Sequence, residues 1–305
     1  MEFVKYRSLE NTYRSKFIAS FLNQFPELAT AQYQITEKIH GANVSVSFVP
    51  GQPWKLGKRT SFLQAGENFY NIWEVVENYR EYLDGLQELV EHDSVTMTLY
   101  GELYGPKVQK GVNYGATRRI AFFDLVIDGE MLPPIDFTRA FQDHADLTVP
   151  IIDIVDGLEA ALGYDVEFNS HINPEEGNIC EGIVIKPLRQ VYYDKRGCWF
   201  CLKKKNEKFG QKVKEKKVSP EDPELARLNV AFRNYLTDNR LQGVFSKYGE
   251  IEEPEQIGQY IRWMLADAQS DFEKDYEEVS ALDKNDQRKV FNVGGTIANM
   301  LKGKL

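Results

Sequence analysis

Hydrophobic and polar positions alternate over short runs in residues 1–215. Such runs, about four to eight residues long and bounded by glycine or charge, are typical of half-buried strands. The runs with this pattern are Gln32–Ile35, Asn43–Phe48, Val95–Tyr100, Ile120–Ile127, Glu181–Lys186, Val191–Asp194 and Cys198–Lys203. We therefore predict that strands dominate this part of the chain.

Two stretches of the same region have the spacing of a helix instead. Apolar residues recur at intervals of three and four from Asn68 to Glu91, which predicts one long helix. A shorter helix is predicted near Phe137–Asp146. Strands with helices packed outside them indicate an α+β fold built on antiparallel sheets.

The pattern changes near residue 218. Ser219 is a candidate helix cap, with Pro220 at the first helical position and acidic residues in the first turn. Helical spacing follows in Leu225–Leu236, Pro254–Asp267 and Lys284–Lys302. We predict one domain over residues 1–217 and a small all-helical domain over residues 218–305.

Composition indicates a soluble globular protein. No apolar run reaches membrane-spanning length, and the N-terminus lacks an apolar signal core, so we expect a cytoplasmic protein without a membrane partner. The net charge is −9, which argues against a general nucleic-acid surface. Residues 203–217 nevertheless hold eight lysines and two glutamates, so a polyanion contact would be local. A solvated charged segment is the other interpretation of this run.

Lys38 is the first candidate for chemistry, because it lies in a strand-like run with Gly41 three positions later. A free lysine has a pKa of about 10.4, and a nucleophilic lysine needs burial or nearby positive charge to lower it. Lys186, Lys203 and Lys205 could supply that charge and hold a triphosphate; the last two share one face of a predicted strand. Gly41 would let a substrate approach the backbone closely. For Lys38 taken alone, a surface lysine at a strand end is the favoured interpretation.

Acidic and aromatic residues supply further candidates. Glu102 lies between glycines at a strand end and Glu181 begins another strand, so two separated carboxylates could bind a sugar hydroxyl and hydrated Mg²⁺. Phe122 or Phe123 could pack in the core or stack on a base. Asp124, in the same apolar run, needs a partner.

Other sequence patterns argue against a zinc site and against a P-loop. Cys198 and Cys201 have CxxC spacing, but no second pair follows, which argues against a zinc site. The sequence contains no Walker-type phosphate loop, which disfavours P-loop chemistry. Arg59 is a candidate for contact with a phosphate or a ribose.

The run Lys38-Ile-His-Gly-Ala-Asn resembles the adenylated-lysine motif of covalent nucleotidyltransferases, the superfamily of DNA ligases, RNA ligases and mRNA capping enzymes. The later motifs follow in the expected order: Arg59, Glu102 in Gly-Glu-Leu-Tyr-Gly, Phe123-Asp124, Glu181-Gly-Ile-Val-Ile-Lys186 and Lys203-Lys-Lys205. The Glu-Lys-Ile-His-Gly form is most similar to the RNA ligase 2 family of phage nick-sealing ligases and kinetoplastid RNA-editing ligases. The N-terminal run from Lys5 and the C-terminal runs at Asn239 and Ser246 are also similar to that family.

This resemblance implies an ATP-grasp-like, antiparallel-sheet nucleotidyltransferase domain followed by a helical domain, where DNA ligases and capping enzymes usually have an OB-fold. It implies that Lys38 takes AMP from ATP with the help of Mg²⁺, for which Mn²⁺ can substitute. The lysine then passes the AMP to an RNA 5′-phosphate, and an RNA 3′-hydroxyl attacks that phosphate. The expected partner is RNA, nicked in a duplex. We expect a monomer, located in the host cytoplasm if a phage encodes it.

The resemblance also assigns roles to residues. Glu102 would contact the ribose, Phe123 would stack on adenine, and Glu102 and Glu181 are the candidate metal ligands. The expected catalytic residues are Lys38, His40, Lys203 and Lys205. The expected nucleotide-binding residues are Glu37, Ile39, Asn43, Arg59, Glu102, Phe123, Glu181, Lys186, Lys203 and Lys205. Ala42 departs from the family, whose members commonly have a hydroxyl residue there.

Two alternatives stay open at this point. A DNA ligase or a capping-type guanylyltransferase would share the lysine chemistry. A non-catalytic RNA-binding protein would keep the basic run but would not need Lys38.

Overall fold

The computed structural model of the protein describes residues 2–210 and 223–302. The chain divides into two compact units, Met1–Lys208 and Phe209–Leu305. The first contains largely antiparallel sheets with helices, and the described part of the second contains helices without strands. The predicted α+β arrangement is therefore confirmed. The predicted boundary between residues 217 and 218, the cap at Ser219 and much of the lysine run lie outside the described residues and stay predictions.

The strands of the first unit form two sheets in the described part of the chain. The strands are β1 (Glu10–Asn11), β2 (Gln32–Glu37), β3 (Ala42–Val49), β4 (Gln52–Lys58), β5 (Ser61–Phe62), β6 (Met97–Tyr104), β7 (Arg119–Ile127), β8 (Glu130–Met131), β9 (Ile151–Asp156), β10 (Gly182–Pro187) and β11 (Leu202–Lys205). The first sheet has the order β1-β11-β10-β2-β9, and the second has the order β5-β4-β3-β6-β7-β8. The short β1 pairs with β11 in parallel, whereas the other pairings are antiparallel.

Helices cover the outer face of each sheet. The helices of this unit are α1 (Ser15–Gln24), α2 (Ile72–Glu77), α3 (Arg80–Asp93), α4 (Pro134–Ala140) and α5 (Leu158–Gly163). Alternate residues of β3, β6 and β7, such as Val44 and Phe122, pack against α2, α3 and α4. Ile35 and Ile183 of the first sheet pack against α1 and α5. The opposite face of each sheet is left to face the other sheet.

The two inner faces meet in an aromatic cluster, which we call the inter-sheet cluster. Its members are Tyr6, Tyr100, Met131, Trp199 and Cys201, with Phe123 and Val184 packed against them. This cluster sets the distance between the sheets. Side chains that lie beside it on the inner faces are therefore held at the junction of the two sheets.

The N-terminal segment runs through this junction. The Tyr6 hydroxyl donates to Asp124 Oδ2 at 2.6 Å, and the Tyr100 hydroxyl donates to the Val4 carbonyl at 3.0 Å. Trp199 Nε1 donates to the Ser8 carbonyl at 3.0 Å. The segment thus closes the inter-sheet cluster before the chain enters β1.

The prediction of one helix over Asn68–Glu91 was wrong in detail. The chain there forms α2 and α3, separated at Tyr79, and Tyr70 and Asn71 have positive φ angles before α2 begins. Buried Tyr79 donates its hydroxyl to the Ile120 carbonyl at 3.1 Å and accepts from the Ile120 N–H at 2.8 Å. These bonds tie the junction of the two helices to β7. The predicted helix near Phe137–Asp146 is α4 followed by a 3₁₀ turn at Gln142–Leu147.

The predicted strand Val191–Asp194 was also wrong, and the predicted strand Cys198–Lys203 is confirmed only at its end, where Leu202 and Lys203 begin β11. Among the described residues, 191–194 and 198–201 contribute only the isolated bridge between Tyr193 and Trp199. Asp194 Oδ1 accepts the N–H groups of Arg196 and Cys198, which bends the chain into a turn. Strand β9, with the sequence Ile-Ile-Asp-Ile-Val-Asp, was not predicted; it lies at the edge of the first sheet, and most of its residues are exposed.

The second unit is a helical bundle where the structure describes it. Its helices are α6 (Pro223–Arg233), α7 (Asp238–Tyr248), α8 (Ile257–Asp275), α9 (Lys284–Val290) and α10 (Gly294–Lys302). The predicted run Lys284–Lys302 is two helices, and α7, capped by the Thr237 side chain, was not predicted. Phe232, Met264 and Phe272 lie in its core. None of the helices in residues 2–210 and 223–302 combines the length and apolar character needed to cross a bilayer.

A buried arginine connects the helices of this bundle. The Arg240 side chain is 1% exposed, and its guanidinium pairs with Asp267 and, at 2.9 Å, with Asp271 of α8. Its Nε donates to the Tyr235 carbonyl at 2.9 Å, and Lys247 also pairs with Asp267. A buried guanidinium needs such partners, because leaving water costs several kcal/mol per ion.

We predict that Arg240→Ala lowers the free energy of unfolding of this unit by about 3 kcal/mol, because it leaves the two α8 carboxylates with weaker partners. Hydrogen exchange of the α8 amides in rising urea measures this loss. The control Arg262→Ala, at an exposed position of α8, should change stability by less than about 0.5 kcal/mol. Equal effects of the two substitutions would contradict a structural role for the buried network.

Candidate active site

Lys38 lies in residues 38–41, the crossing segment, which leads from β2 of the first sheet to β3 of the second. The Lys38 N–H donates to the Gly182 carbonyl at 2.9 Å, and the His40 N–H donates to the Tyr114 hydroxyl at 2.8 Å. A Cβ on Gly41 would lie 2.2 Å from the Leu103 carbonyl oxygen. Gly41 is therefore required by close packing of the protein on itself, where we had expected an approach of substrate.

The carboxylate of Glu181 pairs with several basic side chains of this region. Its Oε2 lies 2.7 Å from Lys38 Nζ and 3.4 Å from His40 Nδ1, and its Oε1 lies 2.7 Å from Lys205 Nζ. The Glu181 side chain is 2% exposed. Burial raises its pKa, but Lys205, Lys38 and His40 outweigh burial and hold the pKa well below the usual range. Glu181 is therefore ionised, and it joins three predicted site residues.

The protonation of Lys38 differs from the expectation. Burial lowers the pKa of the Lys38 ammonium, but Glu181 and Glu102 oppose burial and leave the pKa above its ordinary value. The carboxylates of Glu181 and Glu102 therefore set the direction of the Lys38 pKa shift, and the positive charge of Arg59 does not reverse it. Lys38 is thus a charged ammonium at neutral pH in this state, and it must lose a proton before it can act as a nucleophile.

Glu102 faces the same junction from the second sheet, where it pairs in register with Asn43. Burial raises the pKa of its carboxyl to about 7, and Glu181 adds to the rise, whereas Lys38, Arg59 and the Gly41 N–H oppose it. The carboxyl therefore changes charge near neutral pH.

The described residues contain no group of three or more His, Cys, Asp or Glu side chains that could hold a metal ion. Glu102 and Glu181 nevertheless lie close enough for each charge to act on the other. Mg²⁺ is commonly bound by one or two carboxylates, with water and substrate phosphates as the remaining ligands. The two-carboxylate set fits that kind of site.

The structure distinguishes the two adjacent phenylalanines. Phe122 is fully buried among the helices of the second sheet, whereas Phe123 lies on the inner face with its ring 5.1 Å from that of Tyr6. Asp124 is buried, and its Oδ2 accepts from Lys186 Nζ at 2.7 Å and from Tyr6 at 2.6 Å. The predicted need of Asp124 for a partner is confirmed.

The other predicted site lysines lie in two places, Lys186 beside Asp124 and Lys203 and Lys205 on β11. Lys186 Nζ bonds to Asp124 and lies 5.5 Å from the centre of the Phe123 ring. Lys203 pairs with Val184 in register and shares its strand face with Lys205, as predicted. Lys204 points the other way and donates to the Leu162 and Tyr164 carbonyls at 3.0 and 2.7 Å. The strand alternation therefore selects Lys203 and Lys205 for the junction.

The remaining predicted residues flank this cluster. Arg59 donates to Ser8 Oγ at 3.2 Å, and its guanidinium lies 5.6 Å from the centre of the Tyr6 ring. Ile39 is buried. Glu37 pairs with Ile183 on the opposite face of β2, and its Oε2 accepts from the His171 N–H at 2.7 Å. The Glu37 carboxylate is thus outside the Glu181 cluster, and burial raises its pKa.

Sequence reasoning missed two residues of the site. Tyr6 holds Asp124, and Tyr114 holds the His40 backbone. Tyr6 lies in the N-terminal run that already resembled a known family, so a signal existed. Tyr114 lies in a loop between strands, where no local pattern marks it.

We predict that Glu102→Gln removes a pH-dependent loss of stability. The folded carboxyl keeps its proton up to about pH 7, whereas an unfolded glutamate loses it near pH 4.5. Within this window the folded state binds more protons, so its stability falls as pH rises and levels off above about pH 7. Relative to the variant, the wild type should lose about 1–3 kcal/mol between the ends of the window.

Urea unfolding at about pH 5 and about pH 8 measures this difference. Glu88→Gln, at an exposed position of α3, is the control and should leave the wild-type pH dependence unchanged. If Glu102→Gln also leaves it unchanged, the raised pKa of Glu102 is wrong.

The sequence matches two models of known protein families. The RNA ligase family model matches residues 31–205, which is more than half of the chain, and the T4 RNA ligase 2 C-terminal model matches residues 220–297. A Naegleria gruberi RNA ligase with PPi is 20% identical, with a TM-score of 0.49, and the match covers 68% of this chain and 58% of that chain.

Mutants of that ligase with ATP and Mn and with AMP and Mn are 19% and 20% identical, with TM-scores of 0.48 and 0.49. Each match covers 68% of this chain and 57% of the other. The chain thus spans less than two thirds of the length of these structures. Because the two family models match successive parts of the sequence, the chain belongs to the RNA ligase family and, within it, to the RNA ligase 2 family.

Proposed function

We propose that the protein is an ATP-dependent RNA ligase that joins 3′-hydroxyl and 5′-phosphate RNA ends through an AMP bound to Lys38. The observation that carries this proposal is the cluster at Glu181, which gathers the Lys38 amine, Lys205 and His40 within hydrogen-bond or ion-pair distance. Family membership supports the same activity.

In the first step, Lys38 Nζ attacks the α-phosphorus of ATP. An N–P bond forms, the P–O bond to the β-phosphate breaks, and pyrophosphate leaves with the electron pair. The lysine must give up a proton, because Glu181 and Glu102 keep the amine charged in the free protein. Lys205 and Lys203, on one face of β11, would neutralise the charge that develops on the phosphate.

The nucleotide would lie at the junction of the two sheets. Phe123 would stack on the adenine, and the Glu102 carboxylate would accept a ribose hydroxyl. Glu37 would act through its backbone, because its carboxylate faces away, and Ile39, Asn43, Arg59 and Lys186 would complete the surroundings. Glu102 and Glu181 would hold Mg²⁺, with Mn²⁺ as a substitute, and the ion would supply charge neutralisation of the phosphates.

In the second step, an oxygen of the RNA 5′-phosphate attacks the phosphorus of the AMP on Lys38; a P–O–P linkage forms, the N–P bond breaks, and the lysine amine leaves and takes up a proton. In the third step, the RNA 3′-hydroxyl attacks the 5′-phosphate and loses its proton; a new O–P bond forms, the P–O bond to AMP breaks, and AMP leaves with the electron pair. His40 and Asn43, beside the nucleophile, would serve these steps. The inner faces supply positioning and charge neutralisation, the contributions that phosphoryl transfer needs.

The helical unit favours one class of RNA substrate among those that an RNA ligase could seal. Its match to the T4 RNA ligase 2 C-terminal model supports a ligase that seals nicks in duplex RNA. We propose that the protein does so as a monomer in the cytoplasm.

We predict that labelled ATP with Mg²⁺ labels the protein covalently and that Lys38→Ala abolishes the label, because the amine is the only atom proposed to bond to AMP. Protein first stripped of bound AMP with pyrophosphate is analysed by denaturing electrophoresis. Lys204→Ala is the control: it removes a lysine that faces away from the junction and should keep the label. A stripped wild-type protein that takes up no AMP sinks the proposal, and labelling by GTP in place of ATP would indicate a capping enzyme.

We further predict that the labelled protein seals a 3′-hydroxyl/5′-phosphate nick in duplex RNA at least about tenfold faster than the same ends on single-stranded RNA. Gel analysis of end-labelled strands measures both rates. A matched nick in duplex DNA is the control. Faster sealing of the DNA nick would identify a DNA ligase, and faster sealing of single strands would contradict nick specificity.

A further inference from the structure

Tyr114 contacts the crossing segment from an element that carries no predicted site residue. It lies between β6 and β7, and its side chain is 8% exposed. Its hydroxyl accepts the His40 N–H at 2.8 Å, and its ring packs edge-on against Tyr104 at 5.1 Å. A buried ring thus presents one polar atom to the backbone beside Lys38.

The backbone amides of the crossing segment have three different partners. The Lys38 N–H bonds to the Gly182 carbonyl, and the Gly41 N–H bonds to Glu102. The His40 N–H bonds to the Tyr114 hydroxyl. Lys38 therefore has its own backbone anchor on β10, whereas the His40 N–H is held by the side-chain oxygen of Tyr114. Loss of that oxygen would leave a half-buried N–H to find another partner, which costs free energy.

The position of Tyr114 is itself coupled to Glu181. Asn178 Oδ1 accepts the N–H of Asn113 at 2.8 Å, and Asn178 Nδ2 donates to the Asn113 carbonyl at 2.8 Å. Asn113 precedes Tyr114, and Asn178 lies three residues before Glu181. The two hydrogen bonds between Asn113 and Asn178 therefore help to place both contacts of His40. These contacts are Tyr114 at the His40 backbone and Glu181 at the imidazole, 3.4 Å from Nδ1.

The surroundings keep the Tyr114 hydroxyl neutral. Burial raises the pKa of Tyr114 well above the usual range, and the charges of Glu37, Glu181 and Glu102 add to this effect. The hydroxyl therefore stays protonated over the working range of an enzyme. It remains an uncharged acceptor for the His40 N–H when phosphates enter the site.

We propose that Tyr114 is a positioning residue for the sealing step, acting on RNA through His40 and not by contact with the nucleotide. The proposal rests on the proposed function, in which His40 serves the steps after Lys38 has taken up AMP. Lys38 keeps its anchor on β10 when Tyr114 loses its hydroxyl. The two halves of the reaction should consequently respond differently to this loss.

Tyr114→Phe removes the hydroxyl and leaves the ring. Two rates are measured: formation of the protein–AMP adduct from ATP, and single-turnover sealing of a nicked RNA duplex whose 5′ end already carries AMP. Sealing should fall about tenfold, as expected for one lost hydrogen bond at a half-buried amide, while adduct formation and its KM for ATP change less than about twofold. Equal loss in both rates, or no loss in sealing, overturns the proposal.

Tyr104→Phe is the matched control, because it removes a hydroxyl from the neighbouring buried ring and leaves the His40 contact in place. It should leave both rates unchanged, and a tenfold fall in sealing with this variant also overturns the proposal.

A double-mutant cycle tests the route through His40. If Tyr114 acts by placing that imidazole, Tyr114→Phe in a His40→Ala background should slow sealing no further. Multiplied effects would mean that Tyr114 acts elsewhere, and would overturn the proposal. Failure of the wild type to form the AMP adduct would instead overturn the proposed function itself, so the two failures are distinguishable.

Discussion

The buried carboxylate of Glu181 is the interaction on which the rest of the site depends. Taking a carboxylate out of water costs several kcal/mol, and the cost is offset only if cations bond to it in good geometry. Lys38 and Lys205 meet that condition, each at 2.7 Å. The two lysines come from the crossing segment and β11, and Glu181 directly precedes β10. Loss of this carboxylate would leave two half-buried ammonium groups repelling each other, so the ion cluster and the strand arrangement support one another.

The same cluster explains how a charged lysine can be kept ready for a reaction with phosphates. In the free protein, Glu181 and Glu102 hold Lys38 as an ammonium ion. Incoming phosphates are also anions, so they could replace a carboxylate as the partner of Lys38 or Lys205 while the cations stay in place. Charge balance would then be kept at each exchange, and little reorganisation would be needed, which is the condition for effective electrostatic stabilisation in a site of low polarity.

Much of the site could be predicted because local chemistry marks it. Strand alternation selected Lys203 and Lys205 over Lys204, and the apolar run around Asp124 correctly implied a partner. Other features depend on contacts between distant segments. The break at Tyr79 reflects a hydrogen bond to β7, and the raised pKa of Lys38 reflects carboxylates that lie 64 and 143 positions later in the chain. Tyr114 contacts His40 across 74 positions, which no local pattern reveals.

The N-terminal segment has a practical consequence for anyone who works with fragments of this protein. The family model begins at residue 31, yet Tyr6 bonds to Asp124, and β1 pairs with β11 beside Lys203. A fragment trimmed to the matched residues would open the inter-sheet cluster and expose aromatic rings that are buried in the intact chain. Such a fragment should be prone to aggregation, and a negative assay on it would say nothing about the chemistry of Lys38.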